Sequence, residues 1–161
     1  MNYQNILVTL DGSELAELAL QHVPRIANPG AQVHVLSVLT TDFVDEMASV
    51  GTMTALTVAP MTAPAMQRSS RQPDPELVYE RESYLLKAAN SLQQQGYNVT
   101  TQVLYGNVVN NIVSVAADGY DVLVMATHGR SGLSRLVMGS IAEAVLHKAE
   151  CPVLLIPAQH K

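Results

Sequence analysis

Short apolar runs alternate along most of the chain with segments whose apolar residues recur every three to four positions. Short apolar runs are typical of buried strands, whereas the longer period is typical of amphipathic helices. The pattern predicts five strands, at residues 5–10, 32–39, 98–105, 121–127 and 152–157. It predicts four helices between them, the first running from Ser13 to about 28–30 and the others at 75–95, 108–118 and 140–148.

Polar residues and glycines mark the predicted helix ends. Ser13 has the residue type and position of an N-cap, and Gly96 and Gly119 follow helices as C-terminal glycines often do. Ser140 and Glu143 have the spacing of a capping box, in which each side chain accepts a hydrogen bond from the other residue's backbone N–H. We therefore expect Ser140 to cap the last helix. The predicted apolar faces are Leu15, Ala19, Val23 and Ile26 in the first helix, Val78, Leu85, Ala89 and Leu92 in the second, and Val109, Ile112, Val113 and Ala116 in the third.

The alternation of strands and helices indicates an α/β fold. Parallel neighbours need a crossover, usually helical, and such sheets carry helices on both faces. We predict a doubly wound, five-stranded parallel sheet in a single domain of residues 1–161. Residues 40–74 form the longest connection, and long loops in compact domains are often functional.

Composition and charge exclude several classes of protein. The 161 residues are 48% apolar and 14% charged, which excludes intrinsic disorder. A net charge of −5 argues against nucleic-acid binding, and the single Cys151 excludes an internal disulfide framework. The start of the sequence lacks the basic and apolar regions of a signal peptide, so we expect a cytoplasmic protein. Residues 47–67 carry no charge but contain two prolines, which indicates a loop and not a membrane span.

The candidate chemistry follows the first, second and fourth strands. Ligands of open parallel sheets bind beyond the carboxyl ends of the strands. Asp11 follows the first strand, and residues 126–140 leave the fourth strand, pass several glycines and enter a helix. Glycines and a helix N-terminus together favour an anion such as phosphate. The alternative is a glycine turn whose Arg130 and Arg135 are simply solvated, and the spacing does not decide between the two.

The chain resembles universal stress proteins. The resemblance rests on the opening ILVTLDGSELAELAL and on MATHGRSGLSRLVMGSIAEAVLHKAECPVLLIP, and it covers about four-fifths of the chain, all but residues 40–74. ATP-binding members of that family carry Gly, two residues, Gly, nine residues and then Gly-Ser or Gly-Thr. Gly129, Gly139 and Ser140 match this motif, whereas Ala126 replaces its first glycine.

This resemblance implies a Rossmann-like fold with strand order 3-2-1-4-5 and a bound ATP or AMP, with Mg²⁺ accompanying ATP. It implies that Asp11 faces the ribose hydroxyls or, indirectly, a metal on the phosphates. Adenine would lie beside Thr9, Leu10 and Val38, and the Val38 backbone would contact its edge. The ribose and phosphates would be lined by Met125, Ala126 and His128, and the phosphates would be held by Gly129, Arg130, Gly139 and Ser140.

Several of these residues have simpler explanations. Asp11 can begin a turn before Ser13, as Asp-Gly often does, and His128 can be a loop histidine bonded to backbone. Cys151 is expected to be a buried small hydrophobe. Because no general base, nucleophile or P-loop lysine is recognisable, we expect no enzyme activity beyond slow, incidental ATP hydrolysis.

Two classes of function remain open. One is an adenine-nucleotide-binding sensor or regulator of the stress response, and the other is a nucleotide-free interaction module, which only Ala126 favours. We expect a homodimer through the apolar strand Val153–Ile156, because an uncharged edge strand must be covered, and the resemblance implies the same. Residues 40–74 are expected to form a flap over the ligand or a neighbouring subunit.

Overall fold

A computed structural model describes residues 2–40, 74–127 and 138–157 of the chain. The strands are β1 (Tyr3–Thr9), β2 (Ala27–Leu39), β3 (Asn98–Tyr105), β4 (Val122–Ala126) and β5 (Val153–Ile156). The helices are α1 (Glu14–Ile26), α2 (Pro75–Gln94), α3 (Val108–Ala116) and α4 (Ser140–Lys148). Within these ranges, no helix has both the length and the apolar content that crossing a membrane requires. The loop predicted at 40–74 falls, apart from its two end residues, outside the described ranges.

The five strands form one parallel sheet in the order β3-β2-β1-β4-β5, which confirms the predicted α/β architecture and strand order. Successive side chains of a strand point to opposite faces, so each buried strand supplies two core layers. On β1, Ile6 and Val8 pack with α1 and α2, whereas Leu7 packs with α3 and α4. The two helix pairs therefore cover opposite faces of the sheet.

The register brings the ends of three strands to one level. Thr9 pairs with Leu36 and Val8 with Val124. Continuing both registers places Leu10 beside Ser37 of β2 and Ala126 of β4. We call this end of the sheet, where β1, β2 and β4 finish, the carboxyl edge. The chain passes outward from β1 to β3 and then returns to β4, so the β1–β4 gap at this edge is the switch point that parallel sheets use for ligands.

Local sequence signals explain most helix boundaries. The Ser13 hydroxyl accepts from the Ala16 N–H at 3.1 Å and caps α1 as predicted. Asp74 caps α2 in the same way, and Gly96 follows that helix with a φ of +88°, which L-residues rarely adopt. The buried face of α1 is Ala16, Ala19, Leu20 and Val23, so the predicted contribution of Leu15 and Ile26 is only partial.

The predicted cap of α4 is wrong by one residue. Gly139 is the N-cap, because its carbonyl accepts from the Glu143 N–H at 2.9 Å and its own N–H donates to the Thr127 carbonyl at 2.8 Å. Ser140 is consequently the first residue inside the helix, and the N-cap residue Gly139 provides no side-chain cap. The bond to Thr127 joins Gly139 to the end of β4. This tertiary contact, and not the local capping signal at Ser140, therefore determines where the helix starts.

Strand β2 begins earlier than predicted. Ala27 pairs with Tyr3, and the register then moves to Asn5 opposite Gln32, so residues 28–30 form an irregular insertion in the strand. Gly30 lies in this insertion with a φ of +72°. Helix α1 therefore ends at Ile26, with Ala27 as its C-cap, slightly before the predicted end at 28–30. Residues 28–30 lie within β2 instead.

Candidate functional site

The end of β1 contributes mainly backbone to the carboxyl edge. Leu10 is 2% exposed and belongs to the core between the sheet and α1, so its side chain cannot reach a ligand. Its N–H donates to the Leu36 carbonyl at 2.9 Å, which continues the β1–β2 ladder by one residue. Thr9 is half-buried and its side chain lies on the opposite face of the sheet.

Asp11 begins the turn into α1. Its Oδ1 accepts from the Ser13 backbone N–H at 3.0 Å and from the Ser13 hydroxyl at 2.7 Å. Gly12 has a φ of +90°, a conformation that favours glycine at this position. Asp11 therefore begins a turn before Ser13, which was one of the two roles that the sequence left open. Both of these bonds use Oδ1, so the turn fixes the carboxylate at the carboxyl edge without occupying Oδ2.

Val38 presents backbone polar groups beside the end of β1. In a strand, residues two apart direct their backbone N–H and C=O groups to the same side. The Leu36 carbonyl faces β1, where it accepts from Leu10, whereas the Leu39 carbonyl faces β3 and accepts from Gly106. The backbone groups of Val38 therefore face the line of β1, at a level where β1 has already turned away at Asp11. An adenine edge needs such a donor and acceptor pair.

The end of β4 and the start of α4 lie together. Besides the Gly139–Thr127 bond, the Thr127 N–H donates to the Ile156 carbonyl at 2.9 Å, which joins this end of β4 to β5. Met125 is buried and Ala126 is 9% exposed, so they offer backbone and one methyl group. No described residue other than glycine has a positive φ, so alanine is unstrained at 126.

The N-terminus of α4 is suited to an anion. The first N–H groups of a helix lack intrahelical acceptors and carry a partial positive charge. Gly139 offers no side chain to accept from them. Its φ of −63° is open to any residue, so the backbone conformation does not require glycine there. A glycine in that position leaves the N–H groups accessible at close range.

Thr9, Leu10, Asp11, Val38, Met125, Ala126, Gly139 and Ser140 all lie at or next to the carboxyl edge. His128, Gly129 and Arg130 lie outside the described residues. The described part of the site thus joins a carboxylate, a free strand edge and a helix N-terminus from three different βα units.

A polar cluster beside this edge was missed from the sequence. Arg81 of α2 is 8% exposed, and its Nη1 donates to the Oγ of Ser37, which is 1% exposed, at 3.3 Å. The Arg81 Cζ lies 5.8 Å from the ring centroid of Tyr84. Burial raises the pKa of Tyr84, the charges of Glu17 and Asp11 raise it further, and Arg81 opposes them. The sequence did contain a signal for this cluster, in the spacing of its residues. Arg81 has the helical spacing of the apolar residues Val78 and Leu85, and Ser37 alternates with Val35 and Leu39 on one face of the strand.

The other end of the sheet carries a separate polar group. A cleft of about 340 Å³ is lined there by Asn5, Gln32, Val33, His34, Thr100, Asp118, Gly119 and Tyr120. The Tyr120 hydroxyl lies 2.6 Å from Nδ1 of His34, and burial lowers the pKa of His34. Cys151 is half-buried and not fully buried as predicted, and its partial burial raises the pKa of its thiol. These groups lie at the amino ends of the strands, away from the candidate site.

Comparison with known proteins gives one consistent family. A model of the universal stress protein family matches residues 2–157. Universal stress protein MJ0531 of Methanocaldococcus jannaschii is 29% identical over 161 residues, which cover 99% of this chain and 85% of that protein. Universal stress protein MJ0577 of the same organism is 26% identical over 96% of this chain and 94% of its own length.

Solved structures show the same fold. The structure of MJ0577 superposes with a TM-score of 0.73 at 24% identity and covers both chains completely. A universal stress protein in complex with cAMP gives a TM-score of 0.64 at 17% identity over 98% of both chains. A universal stress protein of Archaeoglobus fulgidus in complex with dAMP gives 0.58 at 20% identity, over 96% of this chain and 98% of that one.

Proposed function

Because the chain belongs to the universal stress protein family, we propose that it binds an adenine nucleotide, AMP or ATP, at the carboxyl edge and acts as a sensor or regulator of the stress response. The ligand would extend from Val38 across the β1–β4 gap to the N-terminus of α4. Its base, ribose and phosphates would then meet the strand edge, the Asp11 carboxylate and the helix N–H groups in that order.

The observation that carries this proposal is the uncapped N-terminus of α4. Gly139 is held against β4 by the bond to Thr127, yet it adds no side chain in front of the helix. Ser140, at the first helical position, is not the N-cap residue, and its hydroxyl can donate to a phosphate oxygen. The helix dipole and the first N–H donors of α4 both favour a phosphate at this end of the helix.

The base is proposed from the free edge of β2 and from the relatives. A donor and an acceptor on the Val38 backbone suit the edge of adenine, and two structures of the same fold are complexes with cAMP and dAMP. With ATP, an accompanying Mg²⁺ would be bound by the phosphates, and Asp11 would act on it only indirectly or bind the ribose hydroxyls instead.

We propose a binding role in preference to an enzymatic one. The Ser13 hydroxyl accepts from the α1 backbone and donates to Asp11, which is the arrangement of a cap and not of a nucleophile paired with a base. The nucleotide-free interaction module stays the second candidate, favoured by Ala126 alone. Because φ at 126 is negative, its methyl group matters only where a phosphate would touch the Cα atom.

Thermal unfolding with ATP, ADP, AMP and GTP tests the proposal. Ligand at a hundredfold excess over Kd stabilises the native state by about 2.7 kcal/mol, which raises Tm by about 5–10 °C for a chain of this size. Adenine nucleotides should give this shift, and Asp11→Ala should reduce it. The absence of a shift with all four nucleotides would favour the nucleotide-free module.

A further inference from the structure

Helix α2 buries an arginine at a position on its apolar face where a hydrophobic residue is usual. The buried residues of α2 are Arg81, Leu85, Ala89 and Leu92, which recur at the three- to four-residue spacing of a single helix face. Burying a charged side chain is costly, and well-packed apolar residues in its place are often neutral or stabilising. Packing alone therefore does not account for an arginine at position 81.

The contacts of Arg81 lead to the end of β2. Its Nη1 donates to the Ser37 hydroxyl at 3.3 Å. The Ser37 side chain is almost completely buried between the sheet and the layer formed by α1 and α2. Ser37 immediately precedes Val38, whose backbone groups face the gap beside β1. A bond to Ser37 thus acts on the strand within one residue of the proposed base contact.

Among the described residues, that segment of β2 has a strand on one side only. Beyond Leu36 the ladder to β1 ends, whereas pairing with β3 continues through Leu39 opposite Tyr105. A strand end paired on one side is fixed by fewer contacts than one paired on both sides, although Leu39 is buried there. The bond from Arg81 of α2 adds a contact from the face of the sheet.

Tyr84 lies against the same arginine, close enough to the start of α1 to be affected by its charges. Arg81 lies against the Tyr84 ring at 5.8 Å, and the Tyr84 hydroxyl oxygen is buried. The charges of Glu17 and Asp11 act on that phenol from the first turn of α1 and the turn before it. The cluster therefore spans the two strand ends, β1 and β2, between which a base would lie.

We propose that Arg81 is a positioning residue that fixes the orientation of the Val38 backbone, and with it the discrimination of adenine from other purines. This inference rests on the proposed nucleotide site but adds a residue that does not touch the ligand. The phosphate end, at α4, lies on the other side of β1 and is independent of Arg81.

Calorimetric titration of AMP and IMP tests this role. The two nucleotides share ribose and phosphate and differ only at the base edge, so their affinity ratio reports the alignment of Val38. Wild-type protein should prefer AMP by about tenfold or more, the value of one well-made hydrogen bond. Arg81→Met should reduce this ratio to about one, and Arg81→Lys should restore part of it.

Two further variants make the experiment decisive. Lys87→Met removes a positive charge from an exposed position of the same helix and should leave the ratio unchanged. Ser37→Ala removes the hydrogen-bond acceptor with little change in volume, so it carries the test if Arg81→Met fails to fold. An unchanged ratio in Arg81→Met or in Ser37→Ala, or equal binding of AMP and IMP by the wild type, overturns the role of Arg81. Failure of the wild type to bind AMP at all overturns the proposed function itself.

Discussion

Gly139 combines a fixed backbone with the absence of a side chain at the start of α4. Its N–H is bound to Thr127 and its φ of −63° is accessible to every residue, so glycine is not required for the turn. Serine is a better N-cap than glycine, by a few tenths of a kcal/mol. The protein thus forgoes a small gain in stability at the position where the phosphate would lie.

Gly139→Ser should separate stability from binding. The new hydroxyl can accept from the α4 N–H groups, so the free energy of unfolding should rise by a few tenths of a kcal/mol. The same hydroxyl would occupy the proposed phosphate position, so AMP affinity should fall by about tenfold or more. Urea unfolding and titration measure the two effects, with Ser91→Ala, at an exposed serine of α2, as the control. Undiminished AMP affinity in Gly139→Ser would contradict a phosphate at α4.

His34 should make stability depend on pH. Burial lowers its pKa in the folded protein below the ordinary value of 6.5, so the unfolded chain binds a proton more readily. Stability should therefore be fully present above pH 6.5 and should fall as the pH drops from there toward the lower folded pKa. Urea unfolding between pH 5 and 8 measures this slope, which His34→Gln should flatten. Equal slopes in both proteins would show that His34 does not titrate on unfolding.

Single-residue signals in the sequence predicted local geometry better than long-range contacts. Ser13 and Gly96 act within one turn of their own helix, so their roles follow from residue type and position. Arg81 is polar in a buried stripe, and its bond to Ser37 of β2 is a contact with another element. A pattern along one helix carries no information about that partner.

At the scale of elements, the sequence predicted strands and helices closely wherever local signals were unopposed. The bounds of β3 agree with the prediction to the residue. The differences arise where another element intervenes, as when pairing with Tyr3 draws residues 27–31 into β2. Strand order was available only through the family resemblance, since periodicity does not specify neighbours.

Asp121 joins β1 to β4 at the amino end of the sheet. Its Oδ2 accepts from the backbone N–H groups of Gln4 and Asn5, at 2.8 and 2.7 Å. These bonds stabilise the charged carboxylate and hold the pKa of Asp121 below its ordinary value. The contact lies across strands that are neighbours in the sheet but far apart in sequence.

Asp121→Asn should lower the free energy of unfolding at pH 7 by about 1 kcal/mol, less than is usual for hydrogen bonds to a charge because the carboxylate is screened by solvent. Since the folded pKa is depressed, this contribution is present above the unfolded pKa of about 4 and is lost as the pH falls through the folded value. Urea unfolding at pH 7 and pH 3 measures both, with Asp118→Asn as the exposed control. A destabilisation that is equal at both pH values would argue against the charge.

At the scale of the whole molecule, β5 leaves one side of the sheet without a partner strand among the described residues. It pairs with β4 alone, and Val153, Leu154 and Leu155 are half-buried. The Pro152 and Ile156 carbonyls face β4, so the backbone groups of Val153 and Leu155 face outward. Such an uncharged edge favours pairing with a second copy about a two-fold axis.

We therefore expect a homodimer with twice the chain mass of 17.3 kDa in light scattering at micromolar concentration. Leu155→Lys places a charge on the outer strand and should give a monomer. Leu146→Lys makes the same change at an exposed leucine of α4 and should remain dimeric. A wild-type mass near that of one chain would exclude pairing through β5.

Calorimetric titration of AMP into the wild type, Gly139→Val and His34→Gln tests the central proposal most directly. A valine at the N-cap blocks the approach to the first N–H groups of α4, whereas His34 lies at the opposite end of the sheet. The account predicts one site per chain in the wild type and in His34→Gln, and loss of measurable binding in Gly139→Val. No heat of binding in the wild type, or equal affinity in all three proteins, would contradict an adenine-nucleotide site at the carboxyl edge.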